Sequence, residues 1–432
     1  MSSRSSAAAS SRGGHGRRRC GTARRSAWVA PDDRRDPDEP NRVASPLELL
    51  FDLSFVAAFN RAADEAAHFL AEAHVGTAIV GFVFVSSTVC WAWVNFSWFA
   101  SAFDTDDWFF PLTTMVQMVG VLILALGTPP VFESIDAGEP LDIGVMVTGY
   151  IVMRTAMLLQ WLRVARQDPP CRRAALTFAA TIAIAQVGWT ALAVLHLPLG
   201  AIIPVLVVLY AIELGGPIIA ALLYGLPPWH AHHIAERYGL FLIITIGEVV
   251  LGTIAAVSAV VVRAGWNVEA VMVVVAGIGL AFGLWWSLFL VPFGDLLRRH
   301  RRRAWVWAYG GVVVFSATAA MGAGLHAAAF VAGGEAAIGV TGAVVSVAVS
   351  VLVAMVAAFA IYAFLVQAID WFHLMLVAGS GAVLVLAVAV AAAGAGLGPS
   401  LLLVMLAPVV TVVGYETVGH RRMAQMLRRV LG

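Results

Sequence analysis

The stretch HAHHIAERYGLFLIITIGEVVLG at 230–252 places histidines and a Glu236 and Arg237 pair directly ahead of an apolar run. That run holds a further carboxylate, Glu248. A carboxylate near the middle of a bilayer costs roughly 2.5 kcal/mol or more, so it marks a functional position by default. At about 100° per residue, His230, Arg237 and Glu248 fall within about 20° of one line, with His233 and Gly252 about 40° off it. The spacing predicts a membrane helix with one polar stripe.

Other ionisable groups sit at comparable depth in apolar runs. Glu48 and Asp52, four residues apart, share a helix face and could hold a proton or cation between them. Glu48 also follows Pro46 closely, where an acid would simply favour the positive end of a helix. Arg154 stands in YIVMRTAMLLQW, too deep to reach the interface, and needs an acidic partner; Asp52, Glu213 and Glu248 are the candidates. Glu213 precedes Gly215-Gly216-Pro217, which should kink or break its helix and free backbone carbonyls. These residues predict a buried polar core of Asp52, Arg154, Glu213, Arg237 and Glu248, with Glu48 beside it.

A second group lies at helix ends. His230, His233 and Glu236 form a titratable cluster at a helix entry, and His-x-x-Glu can place two ligands on one face. The full metalloprotease pattern is absent, and no metal centre is expected. Asp104, Asp106 and Asp107 could attract a divalent cation, but an Asp-Thr-Asp-Asp turn is also an ordinary helix cap. Trp91, Trp93, Trp98 and Phe99 make an aromatic stripe expected to serve packing and the interfacial belt.

The elements that must carry these groups are helices. With 60% hydrophobic and 12% charged residues and a mean hydropathy of +0.86, the chain is an integral membrane protein. Apolar runs of about twenty residues recur without strand alternation, which selects an all-α polytopic helix bundle over a barrel. Twelve runs are countable, the first (46–63) the least apolar. Residues 1–44 have almost nothing to bury and should be a disordered, Arg-rich tail. The multipass domain covers 45–420, and 421–432 is a basic end.

All 27 Lys and Arg residues are arginine, and all but Arg61, Arg154, Arg237 and Arg263 gather in the tail, in 163–173, in 298–303 and in the C-terminus. The alternate loops are short or acidic, so both termini are expected on the cytoplasmic side of a bacterial inner membrane. Tryptophans followed by Asp104 in one half, and by Asp295 in the other, suggest two parallel six-helix repeats, 45–225 and 230–420. Nothing resembles a nucleic-acid surface, and the three cysteines give no disulfide or metal spacing. Membrane lipids and a small solute or ion are the expected partners, with no cofactor.

Three blocks together are specific. SPLELLFDLSFV, WAWVNFSWFASAFDTDDW and H-x-x-E-R-x-G-L-F with I-I-x-x-G-E resemble the bacterial low temperature requirement A family. The resemblance implies a multipass inner-membrane protein linked to growth in the cold, with no settled activity. It also implies departures. The family's tryptophan pair is followed by an aspartate where this chain has Leu288, Phe289 and Leu290. A histidine and an acid are expected where Gly311 and His326 stand. Three functions remain open: an ion-coupled, transporter-like protein; a membrane enzyme acting on a lipid or lipid-linked substrate with His233, Glu236 and the Asp104 to Asp107 turn; or a non-catalytic sensor of membrane state.

Overall fold

The computed structural model describes residues 42–103, 107–225 and 227–431. The N-terminal tail expected at 1–44 lies outside them as far as residue 41, as do Asp104 and Asp106. Among the described residues there is no strand, and eleven helices are long and apolar enough to cross a membrane. These are α2 (Val75–Phe103), α3 (Phe109–Leu126) with its continuation α4 (Thr128–Ala137), α5 (Gly144–Gln167), α6 (Arg172–Leu195), α7 (Leu199–Tyr224) and α8 (Ala231–Ala264). There follow α9 (Val268–Phe289) with α10 (Phe293–Arg299), then α11 (Ala304–Gly333), α12 (Val340–Val366), α13 (Trp371–Ala392), and α14 (Leu397–Gly414), which runs on through a π-helical turn into α15 (His420–Leu431).

The twelfth long helix is α1 (Pro46–Ala71), eight residues longer than its apolar run predicts. Its 26 residues span about 39 Å, enough for a bilayer core. Its charged residues keep it out of the apolar class, and two of the carboxylates face protein: Glu48 and Asp52 are each 1% exposed. Pro46 at the first turn and a reciprocal cap start it, the Glu48 amide donating to Ser45 Oγ at 3.3 Å and the Ser45 amide to Glu48 Oε2 at 2.8 Å. At its far end the Ala71 carbonyl accepts from the amides of Ala337 and Ile338 in the loop after α11.

Burial sorts the bundle into a centre and a rim. The most apolar stretch of α11 is 67% buried, those of α7 and α13 only 22%, so α11 is central and the other two face lipid. Close approach needs small residues, because lipid tails supply no hydrophobic drive between helices. A Cβ on Gly252 of α8 would stand 2.5 Å from the Gly322 carbonyl oxygen of α11, and one on Gly322 would stand 2.6 Å from that of Glu248. Gly283 of α9 likewise lies against Pro408 of α14, and Gly279, one turn earlier, against Met405.

The break expected at Pro217 does not occur: α7 is continuous, with Pro204 and Pro217 inside it. One residue past the Glu213 carbonyl, whose ladder partner Pro217 removes, the Leu214 carbonyl accepts from Tyr309 Oη of α11 at 2.6 Å.

Candidate functional site

α1 and α8 run parallel with their polar stripes face to face. At one end Arg237 bridges two carboxylates, Nη1 lying 2.7 Å from Glu48 Oε1 and Nη2 2.6 Å from Asp52 Oδ1. His233 Nε2 is 3.3 Å from Glu48 Oε2, and Trp93 Nε1 donates to Asp52 Oδ1 at 2.7 Å. Ser97 Oγ accepts from Arg237 Nη2 at 3.3 Å. The guanidinium also sits 5.7 Å from the ring centres of Trp93 and Phe96, within reach of a cation–π attraction. All four ionisable groups are fully buried, which requires this pairing. Glu48 therefore does both things its position allowed, capping the helix and pairing with Arg237. Asp52 Oδ2 and His233 Nδ1 have no hydrogen-bond partner among the described residues.

Arg154 takes Glu213 from its three candidates, with Nη2 to Oε2 at 2.9 Å. Tyr150 donates to Glu213 Oε1 at 3.1 Å and accepts from Arg154, while Trp91 Nε1 donates to Glu213 Oε2 at 2.9 Å. Trp91 and Trp93 are two residues apart, hence about 200° apart around α2. The two arginine centres lie on opposite sides of that helix. The single polar core expected for Asp52, Arg154, Glu213, Arg237 and Glu248 is thus corrected to separate centres. Trp91 and Trp93, expected to pack, are hydrogen-bond donors to buried carboxylates; Trp98 and Phe99 do pack, against Trp229 and Trp161.

Glu248 forms a third centre. It is fully buried and receives one long contact, from Asn60 Nδ2 at 3.5 Å, while Oε1 has no partner among the described residues. Gly252, one turn on, leaves room for the His326 ring, which an added Cβ would meet at 2.8 Å. His326 Nδ1 pairs with Asp64 Oδ1 at 2.7 Å, so the departure at 326 is met by an acid from α1. Asp64 in turn lines a polar cavity of about 340 Å³ with Arg61, Glu65, His68 and Glu133. Between this centre and Arg237, the α1–α8 groove is closed by Phe55, Phe59 and Phe241, with Trp93 stacked on Phe241 at 4.0 Å. From Asp52 to Asn60 that layer is about 12 Å deep.

The remaining described candidates, His230, Glu236 and Asp107, lie at helix ends. His230 caps α8, its Nδ1 accepting from the His233 amide at 3.1 Å. Glu236 is half-buried beside the Ala44 backbone. Asp107 Oδ1 accepts from the amides of Phe109 and Phe110 at 3.1 Å, starting α3 as a helix cap does, and its other oxygen pairs with Arg163. No three His, Cys, Asp or Glu side chains gather with metal-binding geometry among the described residues.

Leu288, Phe289, Leu290 and Gly311, where the sequence departs from the family pattern, line neither arginine centre. They border a separate, mainly apolar cavity of about 230 Å³ between α8, α11, α12 and α13.

Sequence comparison then fixes the lineage. No curated protein and no solved structure matches the chain. The family model of the bacterial low temperature requirement A protein matches residues 43–412, nearly the whole chain including all three centres, and the protein belongs to that family.

Proposed function

We propose that this multipass membrane protein is transporter-like and proton-coupled, with Glu248 as the group that takes up and releases the proton. The observation that carries the reading is the setting of that carboxylate: fully buried, held by one 3.5 Å contact, and next to the His326 and Asp64 pair that leads to a polar cavity. An ionised carboxylate without a fixed cation is costly in such surroundings, so exchange of a proton is its cheapest response to charge. Asp64 and His326 supply exchangeable sites on the way. The arginine distribution puts both termini in the cytoplasm of a bacterial inner membrane and the cavity on the outer face. The Glu48, Asp52, Arg237 and His233 centre then serves as a second station beyond the aromatic layer, binding the proton, a cation or the acid group of a solute.

Two of the residues named for the enzyme alternative have other partners. His233 is engaged with Glu48, and Asp107 caps α3 and pairs with Arg163.

The test is proton entry into potassium-loaded proteoliposomes under a valinomycin-imposed potential, read by an internal pH dye. Wild-type protein should acidify the lumen faster than protein-free vesicles, and Glu248→Gln should return the rate to theirs while the purified variant still elutes and unfolds as wild type. Wild-type vesicles no faster than empty ones, or an unchanged rate in the variant, would reject the reading.

A further inference from the structure

The apolar cavity of about 230 Å³ lies apart from every centre above, and Tyr238, Phe289, Trp307, Tyr362, His373 and Tyr415 stand on its wall. Phe289 is 40% exposed, so the cavity reaches the protein surface. Tyr415 begins the π-helical turn Tyr415–Gly419, a rare geometry that concentrates at functional positions.

One polar atom on this wall has no partner. His373 Nδ1 lies 3.0 Å from Asp370 Oδ2, and His373 Nε2 is buried with no hydrogen bond among the described residues. Asp370 is itself fixed, its Oδ1 accepting from the Phe372 amide and from Arg422 Nη1, both at 3.1 Å. Burial pushes the Asp370 carboxyl up, but the Phe372 amide, His373 and Arg422 together outweigh it and hold the group below the usual aspartate range. It is therefore an anion at neutral pH. A carboxylate only accepts, so the His373 Nδ1–H donates to Asp370 Oδ2, and in the neutral imidazole that tautomer presents Nε2 as an acceptor. The rings of Phe359 and Tyr362 flank the imidazole, at 6.4 and 5.6 Å between centres. Among the described residues the hydroxyls of Tyr362 and Tyr415 donate to methionine sulfurs, at 3.7 and 3.6 Å, which are weak acceptors.

We infer that this cavity binds a membrane-dissolved hydroxyl compound, its hydrocarbon part against the aromatic wall and its O–H donated to His373 Nε2. A pocket of mostly apolar lining with one oriented polar group is the usual form of a small-molecule site. Its volume admits one chain end or one ring rather than a whole two-chain lipid. A hydroxyl satisfies the orphan nitrogen; an ether or alkane of the same size leaves it unpaired, which buried polar groups penalise.

The experiment is photolabelling of the full-length protein in nanodiscs with a diazirine-bearing hexadecanol, mapped by mass spectrometry. Adducts are expected on the peptides that carry Trp307 and Tyr362. Unlabelled hexadecanol should compete about tenfold better than its methyl ether, the discrimination that one net hydrogen bond gives. A long-chain phenol as a third competitor separates the sources, winning over hexadecanol if the natural hydroxyl sits on a ring and losing to it if it sits on a chain. His373→Phe should abolish the alcohol-over-ether preference and His373→Gln, which keeps an acceptor, should retain it. Equal competition by alcohol and ether, a preference that survives His373→Phe, or no adduct on those peptides would overturn the inference. The wild-type competition alone decides if the phenylalanine variant fails to fold. None of these readouts depends on Glu248.

Discussion

Removing Arg154 and Glu213 together should harm the fold less than removing either one. Both groups are almost fully buried and 2.9 Å apart. Breaking a buried ion pair by deleting one partner costs about 3–5 kcal/mol, because the survivor is left as an uncompensated charge. The surroundings rank the two single losses. After Arg154→Met, Glu213 still accepts from Trp91 Nε1 and Tyr150 Oη, so the cost falls near the lower figure. After Glu213→Leu, Arg154 keeps only the Tyr150 hydroxyl oxygen, and the cost falls near the upper one. The double variant removes both charges and idles two neutral donors at about 1 kcal/mol each, and an apolar replacement of a buried pair is often neutral or better. It should lie within about 2 kcal/mol of wild type, a non-additivity of about 6 kcal/mol. Reversible unfolding by sodium dodecyl sulfate in mixed micelles, followed by circular dichroism, measures all four corners of the cycle. Additive losses would show that the pair does not exist as described, and a double variant worse than either single one would show that both charges are needed elsewhere.

Gly252→Ala should cost about 1–3 kcal/mol, the usual penalty for overpacking, because its Cβ meets the Gly322 carbonyl oxygen and the His326 ring. An unchanged unfolding midpoint would mean that α8 and α11 do not touch there. Asp370→Asn should lower stability at neutral pH by roughly 0.5–1 kcal/mol, since asparagine keeps the helix cap and Arg422 is half exposed. The folded Asp370 carboxyl titrates below its ordinary 3.8, so this difference should be constant well above that value and vanish as pH falls through the folded value. A difference that persists in strong acid, or grows there, would place its origin outside the carboxylate.

Hydrophobic run length was enough to locate the long helices, and the three-in-line spacing of His230, Arg237 and Glu248 already stated which side of α8 turns inward. Partner choice was less accessible. Glu213 was one of three acids offered to Arg154, because sequence gives depth but not which helix stands next to which. The tryptophans were the main loss: in a bilayer an indole at an interface and an indole donating to a buried acid have the same hydropathy, and only the neighbour distinguishes them. Tyr150 had a signal, since it sits one turn before Arg154 on the same face. The Gly-Thr-Pro-Pro at 127–130 likewise announced the restart at α4, proline being favoured in a first helical turn. His373 had none, because its meaning depends on Asp370, on a wall drawn from several other helices and on a π-turn that no periodicity encodes.

The position of α2 constrains how any movement between the two ends can happen. Trp93 ties one of its faces to Asp52, and Trp91 ties the opposite face to Glu213. Rotating α2 to release either carboxylate would strain the other bond as well, so the helix is held as a fixed post rather than a rocking element. The aromatic layer is not held in the same way, because Phe55, Phe59 and Phe241 are joined by ring contacts without hydrogen bonds. Each such contact is worth only about 0.5–1.5 kcal/mol beyond burial. On the proposed proton route, passage between Glu248 and the Arg237 centre would be limited by those side chains and by the glycine-lined seam of α8 with α11, where the two backbones lie in close contact. A conformational change that opens this route should move α8 against α1 and α11 while leaving both tryptophan bonds in place.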